Sequence, residues 1–150
     1  WNLSYELCVS LLYKSISPNP TTITIMDGPF YTLYPWSKKI FNLYSVKHSR
    51  FKKSKNFKKI KNDISNISKN ELKTIKNTIE KNFCEYLPNF KKNFKFLKYV
   101  KTFRTIVDKK DDSRDYQLLY KDRIFNVLSG KIDHIFLASK DIIKCIKNFS

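Results

Sequence analysis

Glycine is almost missing from these 150 residues; Gly28 and Gly130 are the only two. A loop that wraps a pyrophosphate needs several glycines close together, because side chains hold the backbone amides away from the phosphates. No such loop can be built here, so a nucleotide cofactor would have to find its phosphate site outside this chain. Cysteine offers no framework either. Cys8, Cys84 and Cys145 are odd in number, far apart and without a C-x-x-C pair, which argues against a zinc site or a full set of disulfides. Each falls among apolar neighbours, where a free thiol serves as a small hydrophobe, and a reducing, cytoplasmic setting follows. No apolar stretch is long enough to span a bilayer. No basic leader followed by an apolar run opens the chain, and its start at Trp1 rather than Met suggests processing, truncation or a segment of something longer. No nucleophile–base constellation and no metal-ligand cluster is readable.

What is present is apolar mass and positive charge. Hydrophobic residues make up 41%, with 12 Phe and 9 Tyr, enough for one domain with a core and too much for intrinsic disorder. The formal charge is +17, from 30 Lys plus Arg against 13 Asp plus Glu. That surplus suits DNA, RNA or an anionic surface. It is also the composition that A/T-rich codons impose: Lys, Asn, Ile, Phe and Tyr in excess, glycine and alanine scarce. Both origins stay open, and a basic nucleic-acid-binding protein of the organellar ribosomal type is the alternative function. It rests on lysines interleaved with aromatics between Phe51 and Phe57; otherwise that stretch is a solvated loop.

Leu3, Tyr5, Leu7, Val9, Leu11 and Tyr13 recur at every second position and predict a strand with one apolar face. Pro18 and Pro20 interrupt it. Residues 22–26, 31–34 and 41–47 predict three further strands, separated by a turn at Asp27-Gly28-Pro29 and another over 35–39. Four strands with short links suggest an antiparallel meander. Residues 50–61 read as a lysine-rich segment. Ser68 and Glu71 then form a capping-box pattern ahead of Leu72, Ile75, Ile79 and Phe83, predicting a helix near 69–84 that stops before Pro88. Residues 94–107 predict a long aromatic strand, 108–115 a charged turn, and 118–120 and 124–128 short strands. An amphipathic helix closes the chain after Gly130. The fold class is α+β: an antiparallel sheet with a middle helix and a C-terminal amphipathic helix.

Three phrases in this order carry a resemblance. They are TITIMDGPFYTLYPW with FNLYSVKHSRF, EYLPNF leading into FKFLKYVKTFRTIVDKKDDSRD, and IFNVLSGKIDHIFLASKDIIKCI. Together they resemble the C-terminal part of the FAD-dependent oxidoreductases of the D-amino-acid-oxidase-like superfamily, from Tyr5 to Ile146. The resemblance implies a substrate-domain sheet whose polar face meets the flavin ring. It implies residues 1–128 as that sheet with its helix near 69–84, and 129–150 as a cofactor-facing turn and closing helix. It also implies a missing N-terminal half, in the same chain or another, that carries the G-x-G-x-x-G pyrophosphate site. FAD is therefore the implied cofactor, held loosely by this chain alone, and a small amine- or hydroxyl-bearing molecule the implied substrate, oxidised by hydride transfer to flavin.

The implied site residues each have a plainer explanation beside them. Ser129, Gly130 and Lys131 make the turn whose amides would face the reduced flavin; the same turn can simply need glycine. Arg104 is one of few arginines in a lysine-dominated chain, and its planar fork suits a carboxylate or a flavin edge; an exposed strand arginine explains it equally. Tyr31 would line the substrate pocket, although alternating aromatics commonly pack a sheet. His48 has the right intrinsic pKa for acid–base work but no visible partner. His134 reads as part of a solvated helix face.

Overall fold

The computed structural model describes residues 2–108, 116–128 and 131–147, which fall into two units that divide after Val107. The first contains β1 (Leu3–Ser15), β2 (Ile23–Ile25), β3 (Tyr31–Ser37), β4 (Ile40–Ser45), β5 (Arg50–Ser54), α1 (Phe57–Asn66), α2 (Lys69–Tyr86), α3 (Phe90–Asn93) and β6 (Phe94–Val107). The second contains β7 (Gln117–Lys121), β8 (Ile124–Leu128) and α4 (His134–Lys147). The α+β class with an antiparallel sheet and a C-terminal helix is what the sequence predicts. The sequence predicts a division at residue 128; by contact the chain divides after Val107.

The alternation at the N-terminus becomes β1, and its odd residues Leu7, Val9, Leu11 and Tyr13 are at most 1% exposed. Ser4, Glu6, Cys8, Ser10 and Leu12, pointing the other way, are buried too. A strand buried on both faces belongs in the middle of a sheet. β6 pairs antiparallel with it along its whole length, Leu3 opposite Val107 and Ser15 opposite Phe94. Its other edge is shared: β5 takes the first half and β4 the second. β3 and β2 continue outward from β4. The simple meander expected from the sequence is thus corrected, because β1 pairs with β4 rather than β2. Pro18 and Pro20 keep the link after β1 from turning straight back into a hairpin.

Pro35 also departs from expectation. β3 runs through it to Ser37, with the register shifting between Pro35 and Ser37. Such an irregularity lets a residue without an amide proton stand in a strand. Gly28, at φ +62°, supplies the left-handed step of the preceding turn and donates its N–H to Asp27 Oδ1 at 2.8 Å.

The three helices cover the odd face of β1. Ile60, Ile75, Ile79, Phe83 and Phe90 pack with Leu7, Leu11, Tyr31, Leu33 and Leu43 in one core. The lysine-rich segment is β5 and α1 rather than a loop. Its helix is capped by Asn56 Oδ1, which accepts from Lys59 N–H at 3.2 Å. α2 begins with both halves of the predicted capping box: Ser68 Oγ accepts from Glu71 N–H, and Glu71 Oε2 accepts from Ser68 N–H.

In the second unit, β7 and β8 form a hairpin around Asp122 and Arg123. Both residues hold positive φ, 49° and 63°, the geometry of a two-residue turn that follows strand twist. His134 in α4 is 6% exposed, which corrects the expected solvated face.

Candidate functional site

The face of the first unit's sheet turned away from its helices is polar, and its residues come from five strands. On β1 the row is Ser4, Glu6, Cys8 and Ser10; Arg104 stands opposite Glu6 on β6, and Arg50 opposite Cys8 on β5. Tyr34 on β3 lies opposite Asn42 on β4. The row on the central strand is itself buried, from 1% exposure at Ser4 to 8% at Glu6.

Glu6 organises one end. Its Oε2 accepts from Arg104 Nε at 2.7 Å and Nη2 at 2.6 Å, and Arg50 Nε stands 3.9 Å from the same oxygen. The carboxylate side chain is 11% exposed, the arginines 41% and 34%. Two guanidinium groups against one carboxylate leave this end net positive, with planar donors held in a fixed orientation. Such a patch can receive an anionic or electron-rich group.

The middle of the face is neutral. Tyr44 donates its hydroxyl to Cys8 Sγ at 3.8 Å. Burial pushes the Cys8 thiol up, and burial together with the neighbouring thiol pushes Tyr44 up to about 12. A thiol held neutral in this way is a poor nucleophile. At the far end Asn42 Nδ2 donates to the Tyr34 hydroxyl at 2.6 Å. Asn42 Oδ1 and Arg50 Nε are buried and have no hydrogen-bond partner among the described residues. Both atoms are shut off from solvent by their neighbours, and Arg50 Nε keeps its ion pair with Glu6.

The predicted site residues do not gather in one place. Arg104 is on the polar face. Tyr31 is fully buried on the helix face, its ring 5.5 Å from Phe83 and 6.0 Å from Tyr86. His48 lies beside it, ring centroids 6.4 Å apart, and Asn82 Nδ2 donates to its Nε2 at 3.2 Å. Tyr31 and His48 are therefore neighbours of each other and of α2, not of Arg104. Ser129 and Gly130 lie outside the described residues. Lys131 is described, just ahead of α4. Glu6 was not singled out by sequence reasoning; the available signal was a lone acid inside an otherwise apolar alternation.

Burial first, then the charge of Lys47, holds the His48 pKa below its ordinary 6.5. The neutral ring is favoured in the folded state, so the unfolded chain binds the extra proton. The stability this gives is present above pH 6.5 and is lost as pH falls through the lower folded value. Melting temperatures measured between pH 7.5 and 5 should drop for the native chain, and His48→Gln should flatten that drop.

Phe57 packs on Tyr5 and Phe103, centroids 5.1 and 5.0 Å away, and Phe51 packs against the core. No helix among the described residues is long and apolar enough to cross a membrane, and no group of metal-ligating residues occurs among them.

The chain is similar to the FAD-dependent monooxygenase FPY4 of Fusarium mangiferae, 28% identical over 147 residues. The alignment covers 97% of this chain and 40% of that protein, so the chain spans well under half the length of the relative it matches. No family model and no solved structure matches it.

Proposed function

We propose that this chain is the substrate-side sheet of an FAD-dependent oxidoreductase, completed by a nucleotide-binding half in the same polypeptide or a separate one. Residues 1–128 serve as the sheet with its helix near 69–84, and 129–150 as the cofactor-facing turn and closing helix. The carrying observation is the polar sheet face with Glu6-anchored Arg104, in a chain alignable over almost its whole length with an FAD-dependent enzyme.

The residues fit one part of FAD and not another. With two glycines in the chain no pyrophosphate loop exists, so the nucleotide end is held elsewhere. The ring end suits the polar face, where the partly exposed Arg104 and Arg50 gather round Glu6 and leave a net positive end. When bound, flavin supplies a two-electron acceptor, and a hydride from a carbon bearing an amine or hydroxyl is the reaction proposed. The chain's own part is to bind and orient. Arg104, fixed by Glu6, presents donors to the substrate or ring edge. Cys8 and Tyr44 remain protonated, so neither competes as a nucleophile on this face. Tyr31 and His48 support this arrangement from the helix side, packing α2 against β3 and β4. Ser129, Gly130 and Lys131 are the proposed ring-facing turn.

The test is to express the gene with any coding sequence upstream of Trp1 and release bound flavin by denaturation. A purified assembly that carries no flavin overturns the proposal. In a flavin-loaded protein, Arg104→Ala should keep the flavin but raise KM about 10–100-fold for whichever amine or alcohol reduces the wild type. Arg104→Lys should restore only part of that loss, since lysine cannot reproduce the planar fork.

A further inference from the structure

α4 is covered along one side only. His134 and Ala138 are buried there, and Asp141, Ile142 and Cys145 on the same side are half-buried. At about 100° per residue, Ile135, Ile146, Ile143 and Phe136 follow one another round the next part of the helix, with Ser139 among them. All four are exposed, Ile143 to 53% and Phe136 to 78%. Ile132, in the turn just ahead, is 93% exposed. Large apolar side chains so exposed and so close together mark an interaction surface.

Round from Phe136 the helix carries Lys147, Lys140 and Lys144, all exposed; Leu137, exposed too, lies beyond them. The helix thus has three strips in succession: one covered, one open and apolar, one cationic. Its one acid, Asp141, belongs to the covered strip, where it accepts from the Tyr116 hydroxyl. No carboxylate of the helix therefore stands among the lysines. The helix dipole favours Lys144 and Lys147 in the last turn, but it does not account for Lys140 a turn earlier.

These strips select the partner. The core of a protein–protein interface is poor in lysine, and a second copy of this chain would bring its own +17 against the first. Nucleic acid would meet the lysines but leave the apolar strip in water. An anionic bilayer surface meets both, since acyl chains receive the apolar side chains while lysine heads reach the phosphates on their flexible stems. We propose that α4 is a peripheral membrane anchor that lies in the plane of an anionic phospholipid surface. Ile135, Phe136, Ile143 and Ile146 enter that surface, and Lys140, Lys144 and Lys147 stay at its headgroups. The surplus charge of the whole chain, which the polar sheet face leaves unused, draws the protein there. This inference does not depend on the flavin assignment.

The test is flotation of the chain, with any coding sequence upstream of Trp1, on two kinds of vesicle: phosphatidylcholine alone, and equal parts phosphatidylcholine and phosphatidylserine. The mixed vesicles should bind about tenfold or more tightly than the neutral ones, and added salt should release the protein. Phe136→Ser leaves the charge as it is and alters an exposed position, so it should fold and weaken binding about tenfold. Lys140→Gln, Lys144→Gln and Lys147→Gln together should weaken binding to mixed vesicles about 100-fold. Lys38→Gln, Lys73→Gln and Lys81→Gln together remove the same charge from exposed positions of the first unit and should weaken it far less. Equal losses in the two triple variants reveal general attraction to a +17 surface, which overturns the anchor. Unweakened binding by Phe136→Ser overturns it as well, because the apolar strip then does not enter the bilayer. A native protein that ignores mixed vesicles also overturns it, and leaves the strip to another protein segment.

Discussion

Phe83→Ala is expected to lower the unfolding free energy by about 4 kcal/mol, the cost of emptying a fully buried aromatic site. Phe83 is 0% exposed and ties α2 to both the sheet and α3. Its ring lies 5.5 Å from Tyr31 on β3, and 5.1 Å from Phe90 at 89°. The perpendicular pair adds edge-to-face attraction to simple burial. A domain of this size has roughly 5–15 kcal/mol in hand, so the variant sits close to unfolding. Phe83→Leu keeps most of the volume and should lose only about 1.5 kcal/mol. Urea titrations of the three proteins, with equal slopes, give the comparison. A loss below about 1 kcal/mol for Phe83→Ala would mean that α2 does not close the core.

Glu80→Ala should cost about 3 kcal/mol, through polarity rather than volume. Glu80 sits under the sheet with an 8% exposed side chain. Its Oε1 accepts from the Tyr13 hydroxyl at 2.8 Å and meets Lys76 Nζ at 2.9 Å; Lys91 stands 3.6 Å from Oε2. Burial and then the bond to Glu80 push the Tyr13 pKa up, so its hydroxyl stays a donor. Removing the carboxylate leaves that hydroxyl unpaired in the core and deprives Lys76 of its counter-charge. Lys91 is 64% exposed and adds little. A Tyr13→Phe, Glu80→Ala cycle isolates the bond. If the double variant is less than about 0.5 kcal/mol better than additivity, the hydrogen bond is not the source of the loss.

Legibility in the sequence followed the strength of the local signal. β1, β6 and β8 are readable because apolar residues recur there against a lysine background, and α2 because Ser68 and Glu71 announce its start. α1 was hidden by polar residues, Lys, Asn, Asp or Ser, at seven of its ten positions. Phe57, Ile60 and Ile64 have helical spacing, but three residues in ten do not stand out from so charged a stretch. Pairing was harder than existence. Nothing local tells β1 to join β4 and β6, since both partnerships are decided by which long strand is buried on both faces. The site was legible only at Arg104. An arginine against a lysine bias can be noticed, whereas its partner Glu6 lies 98 residues away and gains meaning only when β1 and β6 lie side by side. Tyr31 looked like a pocket residue because chemistry-bearing aromatics and packing aromatics have the same spelling.

The position of β1 has a consequence for how the protein is made. It is made before every other strand of its sheet, yet Leu3 finds its partner only when Val107 has been synthesised. Until then the central strand of the sheet waits with one edge open and an apolar row exposed. Pairings between distant chain segments form slowly, because loop closure precedes any gain from contact. The nascent sheet is therefore exposed to aggregation until β6 emerges, and the surplus of lysines, by self-repulsion, opposes association of neighbouring copies during that wait.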